Sequence, residues 1–230
     1  MHTNDMHGTP GGPKLQRLKE LRDEADVYFD SGDCIKAGNL AVPLKPEDAW
    51  PLLAELQCDA SCLGNRETHV LEAAFQAKLA GASHTLLCAN TRKKDGTRPL
   101  PGSLVFERAG VTVGVFAIMV PMVTEQMRTQ ALSAYLWDAP LAVAHEKVRE
   151  LRPQVDLLIA LTHIGHRQDL ELAEKCQEID MVLGGHSHTV LERPVIVGRT
   201  HVCQGGSHNR YAGVYLWSSD GPLSGGLAQL

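Results

Sequence analysis

Five short segments, spread along the whole chain, carry oxygen and imidazole side chains beside a glycine or at the end of an apolar run. They are Asp5-Met6-His7-Gly8, Ser31-Gly32-Asp33, Gly64-Asn65-Arg66-Glu67, Leu161-Thr162-His163-Ile164-Gly165 and Gly184-Gly185-His186-Ser187-His188. A sixth, Gln204-Gly205-Gly206-Ser207, follows them. Carboxylate, carboxamide and imidazole donors without thiolate suit Mn²⁺, Zn²⁺, Fe or Co²⁺. Two such ions about 3.5–4 Å apart can hold a phosphoryl group, generate hydroxide and neutralise developing charge. Asp33 follows a strand, and one carboxylate there can bridge two cations. Asn65 offers a neutral amide oxygen, His163 closes an apolar strand, and His186 and His188 flank Ser187 so that they could reach separate ions. Asp5 and His7 share a site only if the chain turns, which Gly8 permits. A lone Asp-x-His or Ser-Gly-Asp is ordinary turn chemistry; the ordered set carries the reading.

These donors need strands to end beside one another. Val27-Tyr28-Phe29, Ala60 to Leu63, Thr85 to Ala89, Asp156 to Leu161 and Met181 to Leu183 read as strands, several of them stopping at a donor segment. Helices are predicted around Leu15, Leu18 and Leu21 and over Ala49 to Leu56, Glu67 to Leu79, Leu141 to Leu151 and Leu170 to Cys176. Ser103 to Glu107 and Val111 to Val120 read as a hairpin. Val195 to Val197, Thr200 to Cys203 and Tyr211 to Trp217 read as a closing β-meander. Thr91 to Pro101 reads as an exposed loop. Alternating strands and helices with polar loops at strand ends predict an α/β protein with ligands at the carboxyl ends of strands. The predicted division is one domain over residues 1–218 and a flexible Gly/Ser-rich tail over 219–230.

With 230 residues, 43% hydrophobic and 21% charged, the chain can bury a core as a globular protein. A net charge of -5 argues against nucleic-acid backbone binding. No apolar run is long enough to cross a membrane. No signal peptide is visible at the start, and the six cysteines read as reduced buried thiols, so a cytoplasmic location is expected. Only four residues precede Asp5, so the first strand reads as clipped, which leaves an exported form open.

The ordered motifs resemble those of the calcineurin-like metallophosphoesterase superfamily, and most of all its 5′-nucleotidase branch. His2-Thr3-Asn4-Asp5-Met6-His7-Gly8 resembles that branch's opening motif, and Leu87-Cys88-Ala89-Asn90 and Gln204-Gly205-Gly206 match further landmarks. The resemblance implies a four-layer α-β-β-α sandwich of two mixed sheets with a dinuclear site at the sheet edges. It implies that Asp5, His7, Asp33 and His188 hold one metal, and Asp33, Asn65, His163 and His186 the other, Mn²⁺ being the leading choice. The expected activity is hydrolysis of phosphate monoesters, nucleotides among them, by attack of a metal-bridging hydroxide. The expected partner is a small-molecule phosphoester.

Two departures qualify this. The family has a histidine where this chain has Arg66, and arginine cannot give up a proton at working pH. It can clamp a phosphate oxygen and stabilise the transferring phosphoryl group. His69 and His166 are candidate replacement acids. The resemblance also implies a second domain that grips the nucleoside in such nucleotidases, and no counterpart of it is expected within these 230 residues. Arg66, Asp33 and His163 are therefore the candidate catalytic residues, and Asn65, Arg66, Asn90 and His208 the candidate substrate contacts, with Arg92, Lys93 and Lys94 as further phosphate contacts. The alternatives are phosphodiester or pyrophosphate cleavage, and a metal-binding domain with much reduced catalysis.

Overall fold

Apolar side chains along the longest strands alternate between two cores. In the strand Val111–Met119, Val113, Val115, Ala117 and Met119 face one core, while Phe116 and Ile118 face another. Leu157–His163 repeats the pattern, with Leu157, Ile159 and Leu161 on the first side and Leu158 and Ala160 on the second. A strand apolar on both faces must lie between layers.

The computed structural model describes residues 1–219 and 221–230. Its first half runs β1 (His2–Thr3), α1 (Gly12–Asp23), β2 (Phe29–Asp30), α2 (Ala49–Glu55), β3 (Ala60–Cys62), α3 (Glu72–Leu79), β4 (Leu86–Leu87), β5 (Thr91–Lys93), β6 (Ser103–Arg108) and β7 (Val111–Met119). It continues with β8 (Tyr135–Trp137), α4 (Pro140–Leu151), β9 (Leu157–His163), α5 (His166–Lys175), β10 (Met181–Gly184), β11 (Val195–Val197), β12 (Thr200–Cys203), β13 (Tyr211–Ser218) and β14 (Gly221–Gln229). Two six-stranded mixed sheets result, ordered β14-β13-β1-β2-β3-β4 and β11-β12-β10-β9-β7-β6, with a small β5-β8 ribbon beside them. One core fills the space between the sheets. The helices α1 and α2 cover the outer face of the first sheet through Leu18, Leu21, Trp50 and Leu53. The helices α4 and α5 cover the second through Val143, Val148 and Leu172. This is the expected four-layer α-β-β-α sandwich. The strands β1 to β4 run parallel, as do β7, β9, β10 and β12. Their carboxyl ends therefore meet at one edge, where the donor loops emerge.

Several predicted elements differ. The tail predicted to be flexible is β14, paired antiparallel along β13. Its glycines are sites of close approach: Gly225 has φ +108, and a Cβ there would collide with the Val214 carbonyl, while Leu223 and Leu230 pack into the cores. The predicted meander splits between sheets, because β11 and β12 join the second and β13 the first. Part of the predicted exposed loop is β5, paired with β8, which periodicity did not reveal. The helix predicted from Glu67 begins at Glu72, since the Glu67 side chain folds back onto loop amides and Thr68 closes a turn on Asn65. The strand β1 is two residues long and still pairs on both sides, with β2 and β13. All six cysteines are free and buried, as expected. Among the described residues, no helix is long and apolar enough to cross a membrane.

Beneath the edge, Asp30 is fully buried, accepting hydrogen bonds from Thr3 Oγ1 at 2.6 Å and Gly32 N at 3.0 Å. Burial pushes its carboxyl up to about 8, against the pull of those two donors. The folded chain therefore keeps a proton that the unfolded chain releases near pH 4. The stability this proton contributes is present below about pH 4 and is lost as pH rises towards 8. In urea denaturation of the metal-free protein, Asp30→Asn should change stability little at pH 5 and gain on wild type by pH 9. A difference that does not vary with pH would contradict this account of Asp30.

Candidate metal centre

All seven predicted metal ligands converge at the shared edge. Asp5 and His7 lie in the loop after β1, Asp33 after β2, and Asn65 after β3, all from the first sheet. His163 ends β9, and His186 and His188 follow β10, from the second. Donor atoms of Asp5, Asp33 and His163 lie within 4.8 Å of one another, and all three side chains are buried. A ring nitrogen from each of His7, His188 and His208 forms a second such group, facing outward.

The backbone is bent to achieve this. Asp5, His7, Asp33, His186, His188 and His208 all have positive φ, between 49° and 77°. For residues other than glycine such conformations persist where the surroundings over-determine them, and they gather at functional sites. The surroundings here are main-chain ties between adjacent donor loops: Asp5 N donates to Gly32 O, His7 N to Asp33 O and His208 N to Asp5 O, at 2.8–2.9 Å. Gly185 allows closest approach between the sheets, since a Cβ there would stand 3.0 Å from His163 Nδ1 and 3.1 Å from Asp5 Oδ2.

Several donors are oriented by a neighbour. His163 Nδ1 donates to the Ser31 carbonyl at 2.7 Å, which leaves Nε2 facing Asn65 Oδ1 at 3.1 Å and Asp33 Oδ1 at 3.4 Å. The Asn65 amide is turned by its Nδ2, which donates to Asn39 Oδ1 at 2.8 Å, so that Oδ1 also meets His186 Nδ1 at 2.8 Å. Asp5 Oδ2 accepts from Asn4 Nδ2 and His186 N. Glu67 is buried and accepts from Asp33 N, Gly64 N and Ile35 N, bracing both loops. Fully buried Lys78 donates to the carbonyls of Gly38, Asn39 and Arg66. Sequence reasoning assigned no role to Ser31, Asn39, Glu67 or Lys78. Ser31 and Glu67 had a signal, as parts of donor segments.

The site favours cations. Asp5 Oδ1 and His7 Nδ1 are buried without a hydrogen-bond partner, Asp5 Oδ1 lies 3.3 Å from His188 Nε2, and His7 Nε2 and His188 Nε2 stand 3.0 Å apart. Burial raises the Asp5 carboxyl. Burial works against charge on Asp33 too, but the His163 imidazole and the Arg66 N–H hold it below the usual carboxylate value. Burial likewise opposes a charge on His163, yet the Asp33 carboxylate outweighs it and pushes the ring up to about 9. A proton on His163 Nε2 and a divalent ion would compensate the same carboxylate, so an ion bound here would displace the proton. The residues present thus fit metal ions: two carboxylates, a carboxamide and imidazoles, held by outer hydrogen bonds.

The predicted substrate contacts fare unequally. Arg66 Nε lies 3.7 Å from Asp33 Oδ2 and Nη1 donates to Lys36 O, so its guanidinium borders the centre. His208 is at the rim, its ring centroid 4.7 Å from that of His7. Asn90 is not a surface contact: it is fully buried, its amide exchanging hydrogen bonds with both main-chain groups of Met119, which makes it a structural corner. Arg92 pairs with Asp138 and Glu125, Lys93 with Glu72, and Lys94 with a carbonyl, so all three are tethered elsewhere. His69 closes a turn by accepting from Leu71 N and bonds the Leu40 backbone. His166 begins α5, where its main-chain N donates to Ser187 Oγ. A groove of about 750 Å³ opens beside His7 and His208, bounded opposite by Lys36, Leu44 and Lys45.

No protein-family profile matches the chain. The trifunctional nucleotide phosphoesterase protein YfkN of Bacillus subtilis is 26% identical over 267 residues, spanning 93% of this chain and 17% of that protein. The uncharacterized metallophosphoesterase YunD of the same organism is 27% identical, over 92% of this chain and 48% of that one. A 5′-nucleotidase of Vibrio cholerae is 28% identical, over 86% and 41%. The chain thus spans less than half the length of each of these curated relatives. Among solved structures, a 5′-nucleotidase precursor from Thermus thermophilus superposes over 100% of this chain and 54% of its own, with TM-score 0.80 and 21% identity. The calcineurin-like phosphoesterase YfkN superposes over 97% and 86%, with TM-score 0.72 and 18% identity. These structures share the fold, and the relatives are phosphoesterases of the calcineurin-like superfamily that the motifs resemble.

Asn39 is exposed and its side chain serves to orient Asn65. Asn39→Ala should leave the fold intact and weaken Mn²⁺ binding by about tenfold, the low end for losing an outer partner of a ligand. Chelator competition measures this; unchanged affinity would show that Asn65 needs no such brace.

Proposed function

We propose that this chain hydrolyses phosphate monoesters, nucleotides among them, using two divalent cations at the junction of its sheets. The observation that carries this is the position of Asp33. Its carboxylate shares one buried space with Asp5 and His163, from both sheets, and its carbonyl holds the His7 main chain. In this reading Asp5, His7, Asp33 and His188 hold one ion, and Asp33, Asn65, His163 and His186 the other. Bound there, the ions would neutralise phosphoryl charge and activate water.

The chain's own groups do the rest. Arg66, beside Asp33 and about 29% exposed, can turn its guanidinium onto a phosphoryl oxygen without leaving the centre. Its fixed charge stabilises the equatorial oxygens as the phosphoryl group transfers. It delivers no proton, and His69 is occupied by its own turn. The reading therefore favours leaving groups that depart as anions, such as aryl oxides or phosphate. The groove beside His7 is large enough for a leaving group, and its wall carries Lys36 and Lys45 together with Glu47 and Asp48, the last paired with Lys45 at 3.3 Å. Arg66, a fixed cation beside the centre, favours a second reading, cleavage of pyrophosphates or diesters.

Asp33→Asn should abolish turnover of an aryl phosphate in Mn²⁺ and weaken both ions. Full activity in that variant would remove the assignment. A general acid is worth about 10²–10⁴-fold. Arg66→His should therefore gain on AMP, whose leaving group needs a proton, and gain little on an aryl phosphate. Loss on both substrates would instead make Arg66 the main charge stabiliser.

A further inference from the structure

The seven ligands implied by the motifs leave His208 out, yet the structure aims it at them. Its main-chain N donates to Asp5 O at 2.8 Å, and Asn209 Nδ2 donates to the carbonyls of Met6 and Gly8 at 3.0 and 2.9 Å. The segment after β12 is thereby tied to the loop that carries Asp5 and His7. His208 and Asn209 both have positive φ, 57° and 53°. Positive φ at two consecutive residues is the geometry of a tight type I′ turn, which His and Asn tolerate better than most residues, and it fixes where the His208 side chain leaves the loop. The direction is towards His7 and His188, at ring-centroid distances of 4.7 and 5.9 Å. His208 Nδ1 faces Ser207 Oγ at 3.0 Å, which engages that nitrogen and leaves Nε2 for the centre.

Packing does not account for three imidazoles gathered here. His188 and His208 are exposed and His7 half-buried, so little apolar area is removed from water. Nitrogens sharing an ion at about 2.0–2.1 Å stand roughly 3–4 Å apart. The His7 and His188 Nε2 atoms are 3.0 Å apart, and the three rings offer nitrogens within 4.8 Å of one another.

We propose that His208 is a ligand of the outer cation and completes a three-imidazole face with His7 and His188. This rests on the metal-dependent reading above. The outer ion then has three imidazoles with Asp5 and Asp33, while the inner has two with Asp33 and Asn65. Imidazole suits Zn²⁺ and Co²⁺ better than Mn²⁺, whereas carboxylate and carbonyl oxygens suit Mn²⁺. The outer position therefore selects Zn²⁺-like ions more strongly than the inner, and the pair is unequal.

The test is Co²⁺ titration followed by calorimetry and visible absorption, on wild type, His208→Gly and His208→Asn. Both replacements tolerate positive φ, so the backbone is retained, and the second serves if the first does not fold. The wild type should bind two Co²⁺ per chain. Each variant should weaken one of them by at least about tenfold and change its absorption, with the other unaffected. Two Co²⁺ in wild type with unchanged affinities and spectra in the variants would overturn the inference alone. A wild type that binds no Co²⁺ would overturn it together with the metal-dependent reading.

Discussion

Two buried carboxylates, Asp5 and Asp33, face a buried imidazole, His163, across the line where the sheets meet, and the surrounding structure answers to that grouping. Like charges so close, taken out of water, repel one another and lose hydration, so the site is stable only with compensation. The chain supplies part of it. Asn4 and the His186 N–H hold Asp5, and the Arg66 N–H holds Asp33. The rest falls to His163 as a proton carrier, or to cations. That sheets of opposite origin must come within one glycine of each other explains Gly185, and Ser31 explains how they stay there. Its carbonyl receives His163 while its hydroxyl donates to Leu183 O at 2.6 Å.

The same grouping accounts for the strain. A loop leaving a parallel strand would ordinarily carry its side chains to alternate sides. Turning Asp5, His7 and Asp33 into one space requires left-handed backbone at each, and His186, His188 and His208 match them from the other sheet. Buried groups that do no chemistry keep these turns in place. Glu67 gathers three loop amides, and Lys78 gathers three carbonyls at the base of the Asn39 and Arg66 loops. In this sense the ring of donors is a property of the whole edge.

Much of this was legible in the chain before its structure. The donor segments, the apolar double-faced runs and the polar turns after them located the site at the carboxyl ends of strands, and each of the seven donor residues read from them lies there. What was not legible depended on partners distant in sequence. The glycines of β14 look like a flexible tail until Val214 and Tyr215 press against them. Asn90 looks like a site residue because it follows a strand, and only its pairing with Met119, from another strand, shows that it is spoken for. Asn39 carries no local sign of its duty, since its side chain acts by turning one amide. His208 could be placed near the centre, but the side it faces depends on two consecutive positive φ angles that no periodicity encodes.

In the proposed reading, Arg66 and the outward imidazole face would give one site two emphases: fixed positive charge at the phosphoryl group and nitrogen-rich capture of the outer ion. Both depend on the claim that the edge holds two cations sharing Asp33. Anomalous diffraction from crystals grown with Mn²⁺ tests it most directly. The account predicts two peaks about 3.5–4 Å apart, one against Asp5, His7 and His188, the other against Asn65, His163 and His186, with Asp33 between them. A single peak, or none at this edge, would contradict it.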